Sequence, residues 1–157
     1  ADIKQALAVN YFAPCVCKKR LFISGALRIK QIKSSDVKKL LEENPKTVIL
    51  DVRTNDELSS VGKINAEDLG SKTYHTVVSP DLRNWQSTDP NFVENVKKQI
   101  DKDIPILISC AAGGRSLIAA NLLEQEGYTA MNLSDGFSGN GEDPGWKNAG
   151  LPSIIDN

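Results

Sequence analysis

Cys110 opens the run Cys110-Ala111-Ala112-Gly113-Gly114-Arg115-Ser116, and no other stretch of the chain combines a nucleophile with so suitable a setting. The apolar segment Ile104-Pro105-Ile106-Leu107-Ile108-Ser109 precedes it and a helical pattern from Leu117 to Glu126 follows. A cysteine so placed sits between a strand end and a helix start. Its reactive form is the thiolate, and main-chain N–H groups converging at a helix N-terminus stabilise negative charge. Gly113 and Gly114 permit the tight turn that aims successive N–H groups inward. Arg115 either supplies a fixed positive charge or shapes the loop through a carboxylate pair, with Glu57 as the candidate partner. The dull alternative, an inert buried thiol, does not account for glycines, arginine and helix start occurring together.

The elements that must position this loop are readable from periodicity. Thr47 to Val52 is a short β-branched run, a buried strand that ends at Asp51 and Arg53. Arg53 is read as a support that holds the loop through hydrogen bonds to main-chain carbonyls, and Asp51 as a structural support beside it. Before it, Leu27, Ile29 and Ile32 mark a short strand. Ser34 or Ser35 then caps a helix carrying Val37, Leu40 and Leu41, which Asn44-Pro45 ends. Residues 54–90 read as irregular, apart from a strand over 74–78 containing His75. Asp89 is the expected N-cap and Pro90 the first-turn residue of a helix with Phe92, Val93, Val96 and Ile100 on one face. After the cysteine loop, a helix with Leu117, Ile118, Leu122 and Leu123 ends at Gly127, and Tyr128 to Leu133 forms the last strand. Such alternation implies an α/β fold with a mostly parallel central sheet flanked by helices on both faces, its ligands bound beyond the strand carboxyl ends. The Gly- and Asp-rich stretch 134–145 is expected to be a surface loop overhanging the site. Trp146 is expected near the cleft, although it and Trp85 are better read as packing than as binding residues.

With these residues in view, 46–152 resembles the single-domain rhodaneses, whose loop is a six-residue C-x-x-G-x-R followed by Ser or Thr. The likeness includes Asp51-Val52-Arg53, Glu57 four residues on, Gly127-Tyr128, and Gly150-Leu151-Pro152. Residues Asp89 to Val96 and Cys110 to Ser116 look most like the plant and algal proteins of senescence-associated type. The resemblance implies a three-layer rhodanese-like fold and a sulfurtransferase working by double displacement. Cys110 would take a sulfane sulfur from a small donor such as thiosulfate, becoming a persulfide, and pass it to cyanide or a thiol, including a thiol protein such as thioredoxin. Ala111, Ala112, Gly113, Gly114, Arg115 and Ser116 would bind substrate, and Asp51, Arg53 and Glu57 would support the loop. The chain departs from the pattern at Ala111 and Ala112, where several thiosulfate-using relatives carry a base, which leaves thiosulfate a poor fit. It departs again at Gly62 to Ala66, and 138–145 is longer than in many relatives. Two other readings stay open. One is a non-enzymatic binding or redox-signalling module. The other is a Cdc25-type phosphatase or arsenate reductase, which places five residues between Cys and Arg where this chain has four.

Composition narrows the partners. A chain of 157 residues with 40% hydrophobic and 25% charged residues is an ordinary single globular unit. No apolar run is long enough to insert in a membrane. Residues 1–33 hold seven of the 19 Lys and Arg but only Asp2 of the 20 acidic residues. The first 25 are therefore read as a basic, poorly ordered leader, a possible transit-peptide remnant, with the domain spanning 26–157. If the leader is a targeting remnant, a plastid is favoured over a mitochondrion; otherwise the cytosol is expected. The acidic remainder argues against nucleic acid. Three cysteines give no closed disulfide framework, and a single His75 with no second cysteine pair makes zinc, or any metal or cofactor, unexpected. Cys15 and Cys17 are read as incidental, with the resolving of a modified Cys110 as the alternative.

Overall fold

The computed structural model describes residues 29–155, so the expected leader, including Cys15 and Cys17, lies outside the described residues, as does Leu27. Five short strands form one fully parallel sheet: β1 (Lys30–Ile32), β2 (Val48–Asp51), β4 (Thr73–His75), β5 (Ile106–Ser109) and β6 (Ala130–Leu133), in the order β1-β6-β5-β2-β4. A two-residue strand β3 (Lys63–Ile64) pairs separately and antiparallel with β7 (Ser153–Ile154). Tyr128 to Leu133 is therefore not the last strand.

The central strands are buried on both faces, and their side chains alternate between two cores as strand geometry requires. Leu50, Ile106, Ile108 and Ala130 face one core, with Phe92 and Val96 of α3 (Phe92–Lys97) and Ala119, Ala120 and Leu123 of α4 (Gly114–Gln125). Ile49, Leu107, Met131 and Leu133 face the other, with Val37, Leu40 and Leu41 of α1 (Val37–Glu43) and with Phe137 and Trp146. This is the three-layer α/β arrangement anticipated from the alternation of strands and helices. Asp51 pairs in register with Ser109, so β2 and β5 end level and bring Arg53 and Cys110 to the same edge of the sheet.

Several boundaries differ from expectation. Ser34 does not cap α1; a 3-10 turn (Ser34–Asp36) precedes the helix, and the Ser34 hydroxyl and N–H both donate to Asp135 Oδ1 at 3.0 Å. A long-range carboxylate outcompetes the local cap. Asp89 is not the N-cap of α3 either: that position is Asn91, two residues on, the Asp89 Oδ1 instead accepts the Asn91 N–H at 2.9 Å, and α3 starts at Phe92. Helix α4 begins at Gly114, three residues before its first apolar position, because the end of the loop, Gly114 to Ser116, already forms its first turn after the left-handed Gly113. Its end follows expectation: Gly127 has φ +98°, and the Tyr128 and Gly127 N–H groups bond to the Leu123 and Glu124 carbonyls.

Within the supposedly irregular 54–90 there is a helix α2 (Asn55–Val61), opened by a capping box in which the Thr54 hydroxyl accepts the Glu57 N–H and Glu57 accepts the Thr54 N–H. The stretch 134–145 is only partly a surface loop. Asp135 and Phe137 are fully buried, and Asp135 Oδ2 also accepts the Gly145 N–H at 2.9 Å, where the short helix α5 (Gly145–Asn148) begins.

Asp135, fully buried, thus joins the segment after β1 to the start of α5. Asp135→Ala is expected to orphan two buried main-chain donors and cost about 2–4 kcal/mol, read as a lowered urea midpoint at unchanged slope.

Candidate active site

Cys110 immediately follows β5 and is 1% exposed. The Gly113 N–H donates to Sγ at 3.1 Å, a contact made possible by the positive φ of +104° at Gly113. A Cβ at Gly113 would also lie 2.3 Å from the Ser134 carbonyl oxygen, so both conformation and space demand glycine here. Gly114, Arg115 and Ser116 form the first turn of α4, whose N–H groups have no acceptor within the helix. The loop's outer side is fixed from behind. Phe137 N–H donates to the Cys110 carbonyl at 2.8 Å and Ser138 N–H to the Ala111 carbonyl at 2.9 Å.

Arg115 and Glu57 meet in a two-pronged ion pair, Nη1 to Oε1 at 2.7 Å and Nη2 to Oε2 at 2.8 Å. Burial pushes the Glu57 carboxyl up, but the Arg115 hydrogen bond and charge and the Thr54 N–H and hydroxyl prevail and hold it below its ordinary value. The Glu57 hydrogen bond in turn raises Arg115 further above its usual range. Although Arg115 follows a loop, it is 8% exposed, so this charge belongs to the buried structure and not to a free side chain at the mouth.

Asp51 and Arg53 are closer to a structural core than the sequence reading placed them. Arg53 is 1% exposed, bonds to Asp51 Oδ2 at 2.7 Å and to the Gly62 carbonyl at 2.9 Å, and lies 4.3 Å over the Phe137 ring. The carbonyl it holds belongs to Gly62 and not to the cysteine loop, and the Phe137 on which it lies donates its N–H to the Cys110 carbonyl. His75 donates through Nε2 to the Arg53 carbonyl at 2.6 Å, a position that orders this corner at a distance from Cys110.

Sequence reasoning missed two features. The first is Asn132, buried in β6, whose Oδ1 accepts the Ser116 hydroxyl at 2.5 Å while Nδ2 donates to Gln31 Oε1 and to the Gly113 carbonyl. Ser116 Oγ also lies 3.3 Å from Cys110 Sγ. With one proton the hydroxyl donates to one acceptor at a time, to Asn132 beside a neutral thiol or to sulfur beside a thiolate. A lone amide in an otherwise apolar strand was the signal. The second is the roof. A cavity of about 290 Å³ above Cys110 is lined by the loop, Arg115, Leu82 and Trp85. The stretch 134–145 and Trp146, expected at the mouth, instead lie behind the loop, where Trp146 is fully buried and donates to the Pro152 carbonyl. A larger groove of about 460 Å³ beside His75, Asp89 and Lys98 holds no thiol. Among the described residues no group of three metal-ligating side chains occurs, and no helix is long and apolar enough to cross a membrane.

A single thiol at the carboxyl end of a parallel strand, cradled by a six-residue loop and a helix start, defines an α/β domain built around one nucleophile. Residues 33–142 match the Rhodanese-like domain, and the chain belongs to that family. It is 34% identical over 125 residues to the uncharacterized protein RP600 of Rickettsia prowazekii, covering 79% of this chain and 96% of that one. Among solved structures it is similar to Rv0390 from M. tuberculosis, with TM-score 0.66 and 25% identity over 81% of this chain and 98% of the other. The polysulfide-sulfur transferase homodimer from Wolinella succinogenes shares the fold, with TM-score 0.59 and 24% identity over 86% and 85% of the two chains.

Because the Glu57 carboxyl is held below its ordinary 4.5, the stability it contributes is complete above that value and is lost as pH falls through the lower folded value. Wild type is expected to exceed Glu57→Gln in urea midpoint by a constant margin at neutral pH. That margin should shrink only below about pH 4.5, and a margin that shrinks near neutrality would contradict the pairing. Gly113→Ala is expected to fold less stably by about 2–4 kcal/mol, and to lose thiol reactivity toward a small alkylating probe by more than that destabilisation explains.

Proposed function

We propose that the protein is a sulfurtransferase that carries sulfane sulfur as a persulfide on Cys110. The observation that supports it best is Sγ on the floor of a cavity with the Gly113 N–H 3.1 Å away. In the first half-reaction the Cys110 thiolate attacks the outer sulfur of the donor. The donor's S–S bond breaks with its electron pair on the departing group, sulfite in the case of thiosulfate, and Cys110 becomes Cys–S–S⁻. In the second, a thiolate or cyanide attacks the outer sulfur of the persulfide and the Cys110 thiolate is regenerated. The first-turn amides of α4 and the Ser116 hydroxyl are the donors at hand for the charge on the terminal sulfur. Arg115 acts by shaping the loop through Glu57.

The likeness of Asp89 to Val96 and Cys110 to Ser116 to the plant and algal senescence-associated type, and a plastid destination, belong to this proposal and rest on sequence alone. A small thiol or a thiol protein such as thioredoxin is the proposed physiological acceptor. The fold is compatible with such chemistry, as the Wolinella protein of the same fold is a polysulfide-sulfur transferase.

Intact protein treated with sulfane-sulfur donors is expected to gain the mass of one sulfur atom. The gain should be removed by dithiothreitol and absent in Cys110→Ser. No gain with any of thiosulfate, an organic thiosulfonate or an inorganic polysulfide would favour a binding module, and hydrolysis of an aryl phosphate dependent on Cys110 would favour a phosphatase.

A further inference from the structure

Four large hydrophobic side chains are exposed among the described residues, and two of them, Leu82 (46%) and Trp85 (37%), stand over the Cys110 cavity. Their placement is built. The fully buried Ser79 donates its hydroxyl to the Trp85 carbonyl at 2.5 Å, and Asp81 caps the 3-10 turn Leu82–Asn84 by accepting the Arg83 N–H at 3.0 Å. The indole edge lies against the loop itself, since a Cβ on Gly114 would come within 3.3 Å of it. Trp85 therefore closes the thiol cavity from one side, with Ala111 and Ala112 on the loop side adding only methyl groups.

The charges around the cavity are already committed. Arg115 is the one charged side chain in its lining, and both of its outer nitrogens are taken by Glu57. Arg83, next to Leu82, is 92% exposed and paired with Asp81 at 3.3 Å. A dianion entering this space would lose hydration and find main-chain donors but no unpaired guanidinium or ammonium in the lining. An apolar group would gain by covering Trp85 and Leu82. At about 290 Å³ the cavity is at the small end for organic ligands, the size of a single ring with its sulfur substituent.

We infer that Trp85 and Leu82 select the sulfur donor: the Cys110 cavity takes a sulfane sulfur attached to an apolar, ring-sized organic group in preference to the thiosulfate dianion. This rests on Cys110 being the persulfide carrier. With an arenethiosulfonate, the Cys110 thiolate attacks the outer sulfur, forming the new S–S bond. The old S–S bond breaks with its electron pair on the arenesulfinate, which leaves the cavity; total charge is unchanged. Trp85 stacks on the ring and Leu82 covers its edge, so the outer sulfur is presented to Sγ.

The test compares benzenethiosulfonate with methanethiosulfonate, which share a sulfinate leaving group and differ in apolar surface, and adds thiosulfate. Rates of persulfide formation are read from intact mass and divided by the rate of each donor with a small free thiol. The wild-type protein is expected to favour benzene over methane by about tenfold or more in kcat/KM, and both over thiosulfate. Trp85→Ala should cut the benzene-to-methane ratio about tenfold. Leu82→Asn, at a more exposed position, should cut it about threefold and gives the same readout if the tryptophan variant does not fold. A ratio equal in wild type and variants would overturn the assignment. So would thiosulfate matching benzenethiosulfonate. No adduct from any donor would instead defeat the persulfide reading itself.

Discussion

Two main-chain hydrogen bonds, from Phe137 N–H to the Cys110 carbonyl and from Ser138 N–H to the Ala111 carbonyl, set the polarity of the site. A tight loop has carbonyls and amides to dispose of, and whichever set faces the sulfur decides whether anionic sulfur is welcomed or repelled. By engaging the first two carbonyls from behind, the 134–145 segment turns them away from the thiol. The Gly113 amide can then reach Sγ. Asn132 adds to the same ordering by donating to the Gly113 carbonyl from the strand beneath. The cysteine's surroundings are thus fixed by neighbours that never touch substrate.

That segment must itself be held, and buried ionic groups hold it. Asp135 collects donors from Ser34 and Gly145, and Arg53 lies flat on Phe137 while bound to Asp51 and Gly62. Each buried charge has a matched partner or a set of aimed donors, as the cost of burying an unpaired charge requires. One consequence is electrical: the motif arginines are spent on structure, so the surface over the thiol is left to apolar side chains. The sequence leaves Arg115 either as a fixed charge at the mouth or as a loop-shaping partner of Glu57, and the bidentate pair is the second arrangement.

Elements driven by apolar periodicity were legible in the sequence. The β-branched run at Val48–Asp51, the run at Ile106–Ser109 and the helix after the cysteine loop could be placed because their burial follows from residue type. Helix α2 was not, for it buries none of its residues fully and so carries no apolar stripe. Its signature was the Thr54 and Glu57 capping box, a local polar signal that periodicity does not register. The Arg115 and Glu57 pairing could be anticipated from charge together with the place of Glu57 four residues after Arg53, whereas the target of Arg53 could not, because the Gly62 carbonyl is brought to it by tertiary folding. The roof formed by Leu82 and Trp85 was equally hidden. Nothing local says that an exposed tryptophan lies opposite a loop 25 residues further on.

The depth of Cys110 has a consequence for how the protein behaves among other thiols. A sulfur that is 1% exposed, under an indole and behind two alanine methyls, cannot meet the corresponding sulfur of a second molecule, since both would have to leave their cavities to come within bonding distance. Coupling of one Cys110 to another is therefore blocked by shape, while a slender reactant can still enter. Oxidative inactivation by pairing is replaced by a size filter, and the protein can keep a reactive sulfur in company with its own kind.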